Sequence, residues 1–183
     1  MSDRRLFLKT VILGDGAVGK TSLIQNFMTG TFRENYKMTI GVDIFRKEIE
    51  VNDLSLLNDP TIKKIFLQVW DFSGQTKFVT IRKRFYAGTA SGIIIFDKTN
   101  PSTLENLNNW LDEMKKSTAD DIPFVIVGNK SDLEPVISEN EIKNWLKEYN
   151  VIQEDYFDAS AKTGKNVETI FRRIAQKAYL KRF

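Results

Sequence analysis

The sequence predicts an α/β domain: a mostly parallel, six-stranded sheet with one antiparallel strand and helices on both faces. Three observations lead there. Short apolar runs rich in β-formers alternate with stretches of helical period along most of the chain. Two neighbouring strand-like runs, Val42–Val51 and Ile62–Trp70, have no helix between them and so form the antiparallel pair. The first strand runs into a glycine-rich loop and then a helix, so strand and helix alternate from the start of the chain. At 183 residues the chain suits a single domain over 1–183, large enough to bury a proper core.

The elements follow in order. Phe7, Val11, Ile12 and Leu13 read as a buried strand. Leu23, Ile24, Phe27 and Met28 repeat at helical spacing. Thr29 to Gly41 has neither period and reads as a loop. The antiparallel pair is joined by the turn-rich stretch Asn52–Pro60. Asp71 to Gly88 is irregular, with a short helix expected around Thr80–Tyr86. Ile93–Phe96 is a short apolar run typical of a parallel strand buried on both faces. Ser102 and Glu105 have the spacing of a capping box, opening a helix that turns Leu104, Leu107, Leu111 and Met114 to one side. Phe124–Val127 is another buried strand. Ser138 with Glu141 is a second capping box, before a helix carrying Ile142, Trp145, Leu146 and Tyr149. A short strand around Tyr156 and Phe157 precedes a last helix from about Asn166, with Val167, Ile170, Phe171, Ile174, Ala175 and Ala178 facing inward.

Composition narrows the function. The formal net charge of +3 is too small by itself to imply nucleic acid, and no nucleic-acid partner is expected. Cysteine is absent, which removes disulfides and thiolate metal sites and is compatible with a reducing cytoplasm. No apolar run approaches the roughly 18 residues that span a bilayer.

Ligands of parallel sheets sit at the carboxyl ends of the strands, and here four strand ends carry four polar signatures. The first is Gly14-Asp15-Gly16-Ala17-Val18-Gly19-Lys20-Thr21, the phosphate-loop pattern. Its glycines let backbone N–H groups approach a phosphate, and the following helix aims its positive end at the same anion. Lys20 brings a charge to the β/γ oxygens, and the Thr21 hydroxyl suits Mg²⁺. The second signature is Asp71-Phe72-Ser73-Gly74-Gln75. Asp71 is placed to hold Mg²⁺, Gly74 to bring an N–H to a terminal phosphate, and Gln75 to orient a water for in-line attack. Thr39 offers a second hydroxyl to the metal.

The third and fourth signatures concern a base. In Gly128-Asn129-Lys130-Ser131-Asp132, the Asp132 carboxylate can accept two parallel N–H bonds from guanine N1 and N2. Adenine would leave it unpaired. Asn129 can tie strand ends together and touch the base, and Lys130 can lay its stem over the base plane. In Asp158-Ala159-Ser160-Ala161-Lys162, Ala161 can offer a backbone N–H to guanine O6. Asp97 and Lys98 read instead as a strand-end cap and a solvated charge.

With these motifs in order, the chain resembles a Ras-superfamily small GTPase from about Phe7 to Ala178, and most the Rab branch. The Rab-like stretches are Thr39-Ile40-Gly41-Val42-Asp43, Leu67-Gln68-Val69-Trp70-Asp71 and Phe85-Tyr86-Ala87-Gly88. The resemblance implies a phosphate-loop G domain that binds Mg²⁺ with GTP or GDP and hydrolyses GTP slowly, acting as a switch. It implies a catalytic set of Gln75, Lys20, Thr39 and Gly74, and a metal set of Thr21, Thr39 and Asp71. The implied nucleotide set is Gly14, Asp15, Gly16, Ala17, Val18, Gly19, Lys20, Thr21, Ser22, Phe32, Tyr36, Thr39, Gly74, Asn129, Lys130, Asp132, Ser160, Ala161 and Lys162, with Phe32 packing against the guanine edge. Effectors, exchange factors and GTPase-activating proteins would engage the loops Thr29–Val42 and Phe72–Gly88, in a role of the membrane-traffic or signalling type. Ile44, Trp70 and Phe85 match the apolar triad that Rab proteins show to effectors.

Some positions depart from the family pattern. Phe72-Ser73 stands where Thr-Ala is usual, Thr76-Lys77 where Glu-Arg is usual, and Ala17 where glycine is frequent. The Asn52–Pro60 connection is longer than the usual hairpin turn. No arginine is obviously supplied in cis to the phosphates, although Arg33 lies near them in the linear reading. With no cysteine for prenyl or palmitoyl groups and Ser2 where a myristoylated chain has glycine, a monomer without a lipid anchor is expected, cytoplasmic and recruited to membranes by a partner. Two rival readings are a nucleotide-binding module with little hydrolysis, its second switch altered by Phe72-Ser73, and an ATP-using phosphotransferase, against which Asp132 argues.

Overall fold

The structure is a computed structural model that describes residues 4–32, 39–50, 62–75, 79–118 and 121–182. Six strands form one sheet: β1 (Arg4–Leu13), β2 (Val42–Glu50), β3 (Ile62–Phe72), β4 (Ser91–Asp97), β5 (Phe124–Asn129) and β6 (Tyr156–Asp158). Their spatial order is β2-β3-β1-β4-β5-β6. β2 and β3 pair antiparallel, and the other neighbours are all parallel. The expected mixed sheet is therefore the observed one.

Helices cover both faces, which is why β4 is buried along its whole length. On one face α1 (Lys20–Thr29) and α6 (Val167–Arg182) pack Leu23, Ile24, Phe27, Ile170, Phe171 and Ile174 against Leu8, Ile12, Leu67 and Ile95. On the other, α4 (Leu107–Ser117) and α5 (Glu139–Glu148) pack Leu107, Trp110, Leu111, Met114, Ile142 and Trp145 against Val11, Leu13, Ile94 and Phe96. Two shorter helices, α2 (Val79–Lys83) and α3 (Pro101–Glu105), lie beside the carboxyl edge of the sheet. Among the described residues no helix is long and apolar enough to cross a membrane.

Several expectations need correction. The irregular stretch does not begin at Asp71: β3 continues through Asp71 and Phe72, which pair with Asp43 and Val42. Phe72 is fully buried, with its ring edge-on to Tyr86 at 5.2 Å, so it completes the core rather than distorting the following loop. The helix expected over Thr80–Tyr86 stops at Lys83.

The first capping box does not form. Pro101 takes the first helical position, where its missing N–H costs nothing, and this moves the start of α3 back to Asn100. Ser102 then lies inside the first turn and donates instead to Asn100 Oδ1. The expected single helix is also divided at Asn106 into α3 and α4. The second box forms as read: Glu141 N–H donates to Ser138 Oγ, and Ser138 N–H donates to Glu141 Oε2. Lys98 is not solvated. It is buried between Glu139 and Asp158, because the α5 start and the β6 end close over it. Asp97 does cap its strand end, accepting from Thr99 N and Oγ1. The Asn52–Pro60 connection lies outside the described residues.

Candidate nucleotide site

The phosphate loop leaves β1 at Leu13 and enters α1 at Lys20. No side chain caps the start of α1, so its first N–H groups are offered to an anion. Gly19 sits at φ +101°, and a Cβ there would lie 2.2 Å from Asn129 Nδ2. Only glycine lets the loop pass that amide. Ala17, where the family often has glycine, takes φ +63°. Lys20 is buried, with Nζ donating to Gly14 O at 2.7 Å and Asp15 O at 2.6 Å. Burial pushes its pKa down to about 8, against the pull of Asp71 and Asp15 and helped by Arg82.

Three oxygen-bearing side chains from separate elements meet beside Lys20. Thr21 Oγ1 lies 2.9 Å from Thr39 Oγ1 and donates to Asp71 Oδ2, which is 3.3 Å from Thr39 Oγ1. Asp71 Oδ1 is buried with no hydrogen-bond partner, and burial raises the carboxyl's pKa. One carboxylate with two hydroxyls is a hard-oxygen set that suits Mg²⁺, and an orphaned carboxylate oxygen is what a cation would satisfy. The residues fit that ion.

Gly74 presses on the phosphate loop: a Cβ there would stand 2.4 Å from Asp15 C and 2.5 Å from Gly16 N. This contact puts Gln75 next to the loop. Gln75 N–H donates to Ser73 Oγ at 3.4 Å. Tyr36, Arg33, Thr76 and Lys77 lie outside the described residues.

At the other end of the groove, Asn129 spans two elements. Its Nδ2 donates to Val18 O at 2.8 Å, and its Oδ1 accepts from Ala161 N–H at 3.0 Å. The Ala161 N–H that the sequence offers to a base is thus already engaged, and a base carbonyl there would share it. Ser160 Oγ donates to Asp132 Oδ1 at 2.6 Å. Lys130, at φ +65°, has Nζ 2.5 Å from Asp97 Oδ2, which leaves its stem along the pocket wall. A pocket of about 310 Å³ is lined by Ala17, Gly19, Ser22, Phe32, Asn129, Lys130, Asp132, Leu133, Ala161 and Lys162. Nine of these are residues the sequence singles out; Leu133 is the addition, and an apolar residue directly after Asp132 was its only signal.

The sequence does not disclose two other features. Both oxygens of Asp15 are taken by the α3–α4 junction, from Asn106 Nδ2 at 2.9 Å and Trp110 Nε1 at 2.8 Å. Arg82, one of three consecutive basic residues in sequence, is buried and holds the Gln75 segment. Of the apolar triad, Ile44 is exposed, whereas Trp70 and Phe85 are half-buried with ring centroids 5.7 Å apart. Trp70 is thus neither pure core nor pure surface.

A parallel sheet that delivers a phosphate loop at one end of a groove and a carboxylate-bearing pocket at the other is the architecture of a guanine-nucleotide switch. The model of the Ras family matches residues 9–180. Ras-related protein RABG3f of Arabidopsis thaliana is 38% identical over 97% of this chain and 84% of its own length. Ras-related protein Rab7 of Pisum sativum is 37% identical over the same shares. GTP-binding protein yptV5 of Volvox carteri is 38% identical over 96% of this chain and 83% of its own. The chain belongs to the Ras family, in its Rab branch, and is a GTP-binding switch that hydrolyses GTP.

Proposed function

We propose that this chain, as one G domain, holds Mg·GTP with the base against Asp132 and the triphosphate in the Gly14–Thr21 loop. The observation that carries the reading is the convergence of Lys20, the Thr21–Thr39–Asp71 oxygens and the Asn129–Asp132 pocket along one sheet edge. The loop N–H groups and Lys20 bind the β- and γ-phosphates. Thr21, Thr39 and Asp71 hold Mg²⁺, which when bound neutralises charge on those oxygens. Gln75 orients water for attack on the γ-phosphorus, and the bond from that phosphorus to the β–γ bridging oxygen breaks, giving GDP and phosphate. Thr39 and Gly74 both answer to the γ-phosphate, so its loss releases the two loops that regulators and effectors read, 29–42 and 72–88. Their partners are effector, exchange-factor and GTPase-activating proteins. A protein partner also brings this monomer from the cytoplasm to membranes, where most Rab-like proteins instead use prenylated cysteines that this sequence lacks.

Base choice tests the reading. A site whose carboxylate is left unpaired by the wrong base discriminates by roughly 10⁴ to 10⁵. GTP and GDP should displace a fluorescent guanine nucleotide far better than ATP does. Asp132→Asn should weaken guanine binding and favour xanthine, whose C2 oxygen accepts from the new amide. Equal affinity of the unaltered protein for ATP and GTP would sink the assignment.

A further inference from the structure

Helix α4 places Trp110 and Glu113 three residues apart, hence on one face. Trp110 Nε1 holds the phosphate loop through Asp15 Oδ1. Glu113 holds Arg82: its Oε2 accepts from Arg82 Nη2 at 2.8 Å, and its Oε1 accepts from Arg82 Nε at 3.0 Å and from Tyr86 OH at 2.9 Å. The same guanidinium turns Nη1 to two backbone carbonyls, Ser73 O at 3.0 Å and Gln75 O at 2.9 Å. Those carbonyls flank Gly74, the residue whose backbone presses on Asp15 and Gly16. Arg82 also stacks over the Trp110 ring at 4.5 Å and is only 2% exposed. One helix face thus grips both loops, the phosphate loop through Trp110 and the Gln75 segment through Arg82.

We propose that Arg82, held by Glu113, is a positioning residue for GTP hydrolysis: it sets the Gly74–Gln75 segment against the phosphate loop. The proposal rests on the reading that Gln75 orients the attacking water. The residue type follows from the geometry. Two carbonyls and a bidentate carboxylate need a planar fork of donors, which guanidinium has and an ammonium lacks. A burial this complete is costly for a charge with no task, and the two carbonyls that Arg82 grips are those on either side of Gly74. Arg82 is not among the residues that line the base-end pocket, so the proposal puts its main effect on the hydrolytic step rather than on binding.

The test compares six proteins: the unaltered chain, Arg82→Lys, the charge-free pair Arg82→Met with Glu113→Met, Gln75→Leu, and each of the two Arg82 changes in the Gln75→Leu background. The paired change leaves no buried charge alone, which protects the fold. Two quantities are read in the presence of Mg²⁺: affinity for fluorescent GDP, and the single-turnover rate of GTP hydrolysis. Both Arg82 changes should lower hydrolysis by about tenfold or more, since small misplacements of a reacting group are expensive. GDP affinity should stay within about twofold, as expected for a group felt only at the chemical step. In the Gln75→Leu background the Arg82 changes should cost nothing further, because residues that act as a unit are not additive. Hydrolysis unaffected by the Arg82 changes overturns the brace, as does a loss that multiplies with that of Gln75→Leu. A parallel fall in GDP affinity also overturns it, marking a merely structural ion pair. A slow Gln75→Leu beside fast Arg82 variants thus rejects the brace alone, whereas Gln75→Leu at the full rate rejects the Gln75 reading and the brace with it.

Discussion

The two ends of the groove are built differently. The base end is held by short polar links among strand ends: Asn129 joins Val18 to Ala161, Ser160 holds Asp132, and Asp97 holds Lys130. Every partner except Asp97 belongs to one of the motifs. The hydrolytic end is held at longer range, by α4 through Asp15 and through Arg82. A pocket with the role proposed here, recognising one base in both nucleotide states, gains from a fixed frame. A segment with the role proposed for Gly74 and Gln75, responding to one phosphate, has to be held by contacts that can be released, and backbone carbonyls gripped by a side chain from a neighbouring helix fit that need.

Substitutions sharpen this contrast, from the strongest effect to the weakest. Gly19→Ala strikes the junction of both ends. Its φ is hostile to an L side chain, and the new methyl meets Asn129 Nδ2. A penalty of about 1–3 kcal/mol for such backbone strain predicts nucleotide affinity lower by roughly tenfold to a hundredfold. Competition binding with fluorescent GDP checks it, and unchanged affinity would mean that the loop can move off Asn129.

Gly74→Ala should spare the base end. Its methyl would overlap the backbone of Asp15 and Gly16, so the Gln75 segment must lift away. GTP hydrolysis should fall by about tenfold or more while GDP affinity changes little. A matching loss of GDP binding would show that the ends are not independent.

Ser160→Ala should do the reverse, more gently. Losing the hydroxyl that orients Asp132 removes one hydrogen bond to a charged group, worth roughly 1–2 kcal/mol. Guanine affinity should drop by about tenfold with the hydrolysis rate of bound GTP unaltered. At the start of α5, Ser138→Ala breaks the capping box and should cost about 1 kcal/mol in denaturant unfolding, with no change in nucleotide affinity or turnover.

The base end was largely legible because its residues sit within short motifs at predicted strand ends. The same local logic located β1, β4, β5 and α6, whose apolar periods leave little choice of face. It erred where local signals competed. Ser102 and Glu105 have the spacing of a cap, yet Pro101 claimed the first helical position and displaced the start. Lys98 reads as a solvated charge because its partners, Glu139 and Asp158, are far off in sequence. Arg82 was invisible for the same reason: nothing beside it in the chain distinguishes it from Lys83 and Arg84.

By itself, then, the sequence determined the order of strands and helices, the antiparallel β2–β3 pair, the phosphate loop and the strand-end motif that brings Asn129 and Asp132 to the pocket. All of these rest on periodicity, turn chemistry and short spacing. Only the tertiary structure decided that Asn129 is the brace behind Gly19, that Asp15 is held by α4, and that one arginine of a basic run is buried across the carbonyls beside Gly74. The physical reason is that burial of a polar side chain depends on partners contributed by other elements. Asp15 with Trp110 and Arg82 with Glu113 become neighbours only when the sheet has brought the phosphate loop, α2 and α4 to one edge.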